Sequence, residues 1–211
     1  MNRIGVIGAG HVGPVIARLA LDAGYGVAIA GSGSPEKIAL VTQIVIPGAE
    51  PRWTADAVAG ADLVVLAIPL HKFAAFDPAL VAGKVVVDAM NYWPATDGVE
   101  AAFEDRRYSS SEIVQRRLAQ SIVVKTLNHI GYQDLEDARR PAGSPDRRAI
   151  GVAADDLHAA AAVAEVIDRI GFDAVRLDSL SAGRLLEPAG PVFGALLGRS
   201  EFERMLSAKA A

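Results

Sequence analysis

The chain has 211 residues, of which 51% are hydrophobic and 22% charged, with a net charge of -4 at neutral pH. That balance predicts a globular chain with a core of its own, and it excludes a disordered tail or a basic nucleic-acid binder. Cysteine is absent, which excludes disulfides, thiolate metal sites and a cysteine nucleophile, and four scattered histidines offer no metal site on one helix face.

Short β-rich apolar runs alternate with helical patterns along the chain. RIGVI (3–7) reads as the first strand, and PVIARLALDAG (14–24) as a helix with Val15, Ile16, Leu19 and Ala20 on one side. GVAIA (26–30) is a second strand, followed by a short helix over 34–43 with proline near its start. ADLVVLAIP (61–69) and KVVVDAM (84–90) predict two buried strands. Residues 109–120 open with a capping box, Ser109 to Glu112, and predict a helix; SIVVKTLN (121–128) predicts a strand. Further strands over 147–153 and 172–177 flank an amphipathic helix over 155–171 with an Asp start and a Gly stop. Residues 92–108 read as a loop with a short helix, 137–148 as irregular, and 182–208 as helices broken by prolines. Strands alternating with helices predict an α/β fold: a doubly wound, mostly parallel sheet of the Rossmann type over 1–178, with a small C-terminal helical lobe over 179–211 packed on it. No apolar run reaches the roughly 18 residues of a membrane span. The N-terminus enters a strand directly, so the expectation is a cytoplasmic chain without a secretory leader or membrane contact.

Directly after the first strand stands GAGHVG, residues 8–13. Gly8 suits a tight turn out of the strand, Gly10 lets a pyrophosphate approach the backbone, and Gly13 lets the helix pack close to the strand. The phosphates would then sit on the exposed N–H groups of the helix N-terminus, where Pro14 costs little. An NAD site places an acid near the end of the second strand, ~20 residues on. Here that stretch reads AIAGSGSPEK, with no acid before Glu36. Ser32 and Ser34 can donate hydrogen bonds and Lys37 a charge, which favours NADP; the other reading of Lys37 is a solvated helix lysine.

In such a fold a ligand crosses the carboxyl ends of the strands. AIPLH (67–71), DAMNYWP (88–94) and KTLNHIGY (125–132) occupy those ends. Asn91 and Asn128 can hold a ribose or carboxamide. His129 either contacts the second substrate or only orients its loop, and His71 either meets phosphate or is merely exposed. Tyr92, Trp93 and Tyr132 either form one flat wall for a planar ring or pack a loop. Hydroxyacid dehydrogenases with this glycine motif need a large helical second domain bearing a lysine acid. The lysines here are Lys37, Lys72, Lys84, Lys125 and Lys209, and only Lys209 follows the strand over 147–153. Hydride transfer between two rings needs no strong general acid, only two rings held face to face.

The stretches IGVIGAGHVG, GSGSPEK, VVLAIPLHKF, GKVVVDAMNYW, SSSEIVQRRL, VVKTLNHIG and LDSLSAGRLLEP together resemble the NADPH-dependent coenzyme F420 reductases, and through them the oxidoreductase domain of the STEAP metalloreductases. By that resemblance Gly8, Ala9, Gly10, His11, Val12 and Gly13 would hold the pyrophosphate. Ser32 and Lys37 match 2′-phosphate positions, while Gly33 stands where the family usually has arginine. Ile68, Pro69, Leu70 and Asn91 match the cofactor-lining stretch. Asn128, His129 and Ile130 match the segment beside the two rings, with Asn128 and His129 as the catalytic candidates. Leu185 and the neighbourhood of Pro188 would line a deazaflavin pocket. The resemblance also implies a homodimer, and NADP with coenzyme F420 as second substrate; the scattered histidines already predict no metal. Three functions stay open: an NADPH:F420 oxidoreductase, an NADPH-dependent flavin (FMN or FAD) or ferric reductase, and an NADPH-binding sensor without turnover. Arg106, Arg107, Arg139, Arg140, Arg147 and Arg148 either meet an acidic F420 tail or form a solvated surface.

Overall fold

The computed structural model describes residues 1–208, so Lys209 lies outside it. Strand β1 (Arg3–Ile7) leads into α1 (Val12–Asp22), β2 (Gly26–Ala30), α2 (Glu36–Val45), the two-residue β3 (Glu50–Pro51) and α3 (Thr54–Ala59). Then come β4 (Leu63–Leu66), α4 (Leu70–Phe73), a 3-10 turn (Pro78–Val81), β5 (Val85–Asp88) and two single-turn helices, α5 (Pro94–Asp97) and α6 (Ala101–Glu104). Next are α7 (Ser110–Arg117), β6 (Ile122–Lys125) and α8 (Tyr132–Asp137). The chain continues through β7 (Ala149–Ala153), α9 (Leu157–Arg169), β8 (Asp173–Leu177), a 3-10 stretch (Ser181–Leu186) and α10 (Arg199–Ser207).

Among the described residues one eight-stranded sheet forms, in the order β3-β2-β1-β4-β5-β6-β7-β8. All neighbours run parallel except β6 and β7. The mostly parallel, doubly wound α/β architecture is therefore as the sequence predicts. After β1 the chain moves outward to β2 and β3, then returns to place β4 on the other side of β1. The strand order reverses there, and a crevice opens at the carboxyl ends. Side chains alternate between two apolar layers. Ile4, Val6, Val27, Ile29, Leu63, Val65, Val87 and Val124 face α1 and α9. Ile7, Ala28, Ala30, Val64, Leu66, Val86 and Val123 face the layer containing α3, α4 and α7. Strands buried on both faces explain the unbroken apolar runs.

Several expected strands prove shorter. Residues 61–69 yield only Leu63–Leu66 and residues 121–128 only Ile122–Lys125, because the chain turns out of the ladder once it reaches the carboxyl edge. The capping box is present: Ser109 accepts from the Glu112 N–H, and Glu112 accepts from the Ser109 N–H at 2.6 Å. Helices α3 and α8 and strand β3 were not expected; each is too short to build a periodic pattern. The helices expected over 182–208 reduce to the 3-10 stretch and α10, whose Phe202 packs with Leu186, Val192 and Val175 against β7 and β8.

The β6–β7 junction positions the site. Its one register pair joins Lys125 to Ala153, the last residues of both strands. Because the two run antiparallel, residues 149–152 of β7 project past the end of β6, beside the segment that leaves it. β7 and β8 thus stand as a wall above the carboxyl edge of the parallel strands. No helix among the described residues is long and apolar enough to cross a membrane.

Candidate functional site

The glycine turn assigns each glycine a different task. Gly8 sits at φ +127°, and a Cβ there would lie 2.2 Å from the Ala67 carbonyl oxygen. A Cβ at Gly13 would lie 1.8 Å from the Gly8 carbonyl oxygen, so α1 is pressed against the turn. At Gly10 a Cβ would meet nothing within 4 Å. The first and last glycines serve the protein's own packing, and the middle one keeps an open face. That face belongs to a cleft of about 510 Å³ lined by Gly8, Ala9, Gly10, Ser32, Ile68 and Pro69 from the sequence-based set. Ile38, Thr54, Lys72 and Phe76, which the sequence did not single out, line it too. A cradle at the N-terminus of α1, closed on two sides by backbone and open at Gly10, fits a pyrophosphate.

At the end of β2 the chain turns through Gly31, Ser32 and Gly33. Gly33 adopts φ +112°, and a Cβ there would sit 3.4 Å from Lys37 Nζ, so the lysine folds back over this turn. Neither Lys37 nor Lys72 forms an ion pair among the described residues. Glu36, the first acid after β2, is fully exposed; its own backbone N–H and the Ser34 hydroxyl hold its carboxyl below the usual range. Lys37 over the Gly33 turn and Lys72 on the cleft wall, without a carboxylate at the strand end, suit a phosphate better than a ribose diol.

At the ends of β5 and β6, Asn91 and Asn128 bind each other. Asn91 Nδ2 donates to the Asn128 carbonyl at 2.7 Å, and Asn128 Nδ2 donates to Asn91 Oδ1 at 3.0 Å. Asn128 Nδ2 also reaches the Leu186 carbonyl at 2.7 Å, tying the 3-10 stretch to β6. Just before it, Leu127 holds a left-handed φ of +63°, a conformation that costs a bulky residue about 1–3 kcal/mol. Thr126 Oγ1, Asn128 Oδ1 and His129 Nδ1, all on this segment, are buried without a hydrogen-bond partner.

His129 is 1% exposed. Its Nε2 accepts the Gly151 N–H at 3.0 Å, and its ring packs on Phe202. Burial first, with the nearby Lys125 charge adding to it, pushes its pKa down to about 4, so the ring is neutral with its hydrogen on Nδ1. Of the two roles open to it, orienting the loop against β7 is the one these contacts serve.

The remaining expected residues divide. Tyr92, Trp93 and Tyr132 form no common wall; they enter three separate pairs. Tyr92 stacks on Phe103 and its hydroxyl donates to Glu104, Trp93 meets Phe193 edge-on at 5.7 Å, and Tyr132 stacks on His11 at 5.3 Å. The His11 stack links the glycine turn to α8. His71 Nδ1 lies 2.8 Å from Asp97 Oδ1. Burial works against the Asp97 charge, but the His71 ring and the Trp93 and His71 N–H groups hold its carboxyl below the usual range. Leu70 and Ile130 are buried in the two apolar layers, and Val12 packs against one of them. Arg107, Arg139, Arg140 and Arg147 pair with Asp105, Asp22, Asp146 and Asp168 of the chain itself. Sequence reasoning passed over one further group. Lys125 and Asp88 are 0% and 1% exposed and form a register pair at the ends of β6 and β5. The signal was a lysine and an aspartate each closing an otherwise apolar strand, in VVK and VVVD.

Residues 3–92 match the family model described as NADP oxidoreductase, coenzyme F420-dependent. Among solved structures, the chain is similar to a hypothetical protein from Sinorhizobium meliloti, at 27% identity and TM-score 0.78, covering 94% of this chain and 96% of that one. It is similar to a protein from Arthrobacter sp. FB24 provisionally named an F420-dependent NADP reductase, at 26% identity and TM-score 0.75, covering 94% and 100%. A reductive aminase from Aspergillus terreus, solved with NADPH and ethyl levulinate, shares the fold at 18% identity and TM-score 0.58, covering 88% of this chain and 58% of that one. No curated protein matches. The family match and the full-length neighbour support an NADP-dependent oxidoreductase.

Proposed function

We propose that this chain, akin to the F420-dependent NADP oxidoreductases through residues 3–92, moves a hydride between NADP(H) and a planar ring acceptor, coenzyme F420 first. The observation that carries the reading is the cleft at the strand-order reversal, open at Gly10 and lined by Ser32 and Lys72, with Lys37 folded over the adjacent Gly33 turn and no acid at the strand end. Gly10 and the first N–H groups of α1 take the pyrophosphate. Ser32 and Lys37 take the 2′-phosphate, with the Gly33 turn leaving room for the lysine rather than an arginine. NADPH supplies a hydride at the nicotinamide C4.

The chain's own part at the reacting end is positioning. The Asn91–Asn128 pair braces the two loops, His129 fixes the second of them against β7, and the His11–Tyr132 and Trp93–Phe193 pairs flank the edge where an acceptor would lie. Among the described residues no exposed ionisable side chain reaches this edge from the β6 loop, so the proton that the reduced ring takes up at nitrogen would come from solvent rather than from a general acid of the chain. Cytoplasmic residence and a homodimer complete the reading.

The test is to mix the protein with NADPH and, separately, oxidised F420, FMN, FAD and either flavin with ferric iron. Bleaching of the deazaflavin band with stoichiometric NADPH loss is the expected result. Turnover with flavins alone would reassign the acceptor. NADPH binding without oxidation by any of them would overturn hydride transfer.

A further inference from the structure

Two charges are buried where the sheet meets the reacting edge, and the proposed chemistry uses neither of them. Asp88 and Lys125 end β5 and β6 side by side. Lys125 Nζ lies 3.3 Å from Asp88 Oδ2 and donates to the Met90 carbonyl at 2.5 Å. Asp88 Oδ1 accepts the Met90 N–H at 3.0 Å, and Oδ2 accepts the Ser111 hydroxyl of α7 at 2.6 Å. One member of the pair therefore holds the N–H of Met90 and the other its carbonyl. Asn91 is the next residue. Three residues after Lys125 comes Asn128, its partner. Gly183 of the 3-10 stretch completes the enclosure, with its virtual Cβ 3.2 Å from Lys125 Cβ and Cγ.

Removing two ions from water is costly, and apolar residues of similar volume serve a core as well or better. Stability alone thus gives no reason for this pair. What an apolar pair could not do is grip both polar groups of one peptide residue. Resting on the functional reading above, we propose that Asp88 and Lys125 are positioning residues of the nicotinamide subsite, which set the height and orientation of the Asn91–Asn128 pair through Met90.

The test compares wild type with the charge-free double variant Asp88→Asn, Lys125→Met and with the milder Ser111→Ala. NADPH affinity is titrated, the fluorescence of the bound nicotinamide is read at saturation, and kcat is measured with the acceptor that wild type accepts. The dissociation constant is set mainly at the glycine turn and the Ser32 end, so the expected change is less than about threefold. A misplacement of about 1 Å costs on the order of 100-fold in rate, so kcat of the double variant should fall by about that factor. Wild type is expected to enhance the nicotinamide emission of bound NADPH, and in the double variant it should return toward that of free NADPH. Ser111→Ala should show the same split, weaker, at about three- to tenfold in kcat. Unchanged emission and kcat in the double variant would overturn the proposal; if it does not fold, unchanged values in Ser111→Ala would do so. The emission is read without turnover. A wild type that binds NADPH yet reduces nothing therefore refutes hydride transfer while the positioning role is still decided, and a wild type that binds no NADPH refutes both.

Discussion

Two glycines three residues apart should respond to the same added methyl in opposite ways. In Gly13→Ala the new Cβ lies 1.8 Å from the Gly8 carbonyl oxygen and 2.9 Å from its carbon, so backbone must move. Overpacking of this kind costs about 1–3 kcal/mol, with the close contact pointing to the upper end. The better helix propensity of alanine returns about 0.5–1 kcal/mol. A net loss of about 2 kcal/mol lowers Tm by about 4–8 °C in a chain of this length. In Gly10→Ala the methyl meets nothing within 4 Å and the backbone φ is not positive. Restricting the unfolded chain then adds about 0.4–1 kcal/mol, a small rise in Tm. The same methyl enters the face kept open for the pyrophosphate, and NADPH affinity should drop at least about tenfold, or 1.4 kcal/mol. Thermal melts without ligand and a fluorescence titration with NADPH measure both effects. A Gly10→Ala variant that binds NADPH like wild type, or a Gly13→Ala variant that melts with it, would refute the assignment of one glycine to the ligand and the other to packing.

The remaining expectations concern the other end of the cleft, the buried histidine and the aromatic rim. Ser32→Ala and Lys37→Ala should each weaken NADPH by about 10–100-fold, the value of a charge-assisted hydrogen bond, and leave NADH unchanged in parallel titrations; equal loss for both dinucleotides would rule out a 2′-phosphate role. His129 carries a folded pKa of about 4 against 6.5 for the free side chain, so between these values the unfolded chain binds more protons than the native one. Stability should therefore fall as pH drops from 6.5 to 4, by at most about 3 kcal/mol, and be flat in this component above 6.5. Denaturation series for wild type and His129→Gln, which keeps an acceptor for the Gly151 N–H, isolate that slope; identical pH profiles would contradict a buried neutral imidazole. Trp93→Ala should raise the acceptor KM several-fold with little effect on the NADPH dissociation constant, as steady-state kinetics will show.

The sheet and the glycine cradle were legible because both are written in local pattern. Buried parallel strands leave unbroken apolar runs, and a glycine turn between a strand and a helix leaves a fixed spacing. The rest depends on which elements meet in space. Asn91 and Asn128 could be named from their places at strand ends, but their mutual bonds join residues 37 apart. The neutrality of His129 follows from burial beneath Phe202, some 70 residues away, and nothing in LNHIG encodes that. Tyr92, Trp93 and Tyr132 looked like one cluster because their strand ends are neighbours, yet each found a different ring. Lys125 closes an apolar strand whose residues say nothing of Asp88, its partner 37 residues away on the neighbouring strand. Lys72 is one lysine among five in the sequence, and only the fold of α4 brings it to the cleft.

The single register pair between β6 and β7 gives the molecule an unequal mechanical build. From β3 to β6 the strands are laced by continuous ladders, as are β7 and β8. Across the seam between them the contacts are of another kind: α9 packs on the apolar face of the parallel strands, His129 Nε2 accepts the Gly151 N–H, and Asn128 Nδ2 donates to the Leu186 carbonyl of the 3-10 stretch. The seam is thus closed by core packing and by these few polar contacts rather than by a ladder. Hydrogen exchange at the Gly151 amide therefore gauges how often the His129 contact across this seam opens.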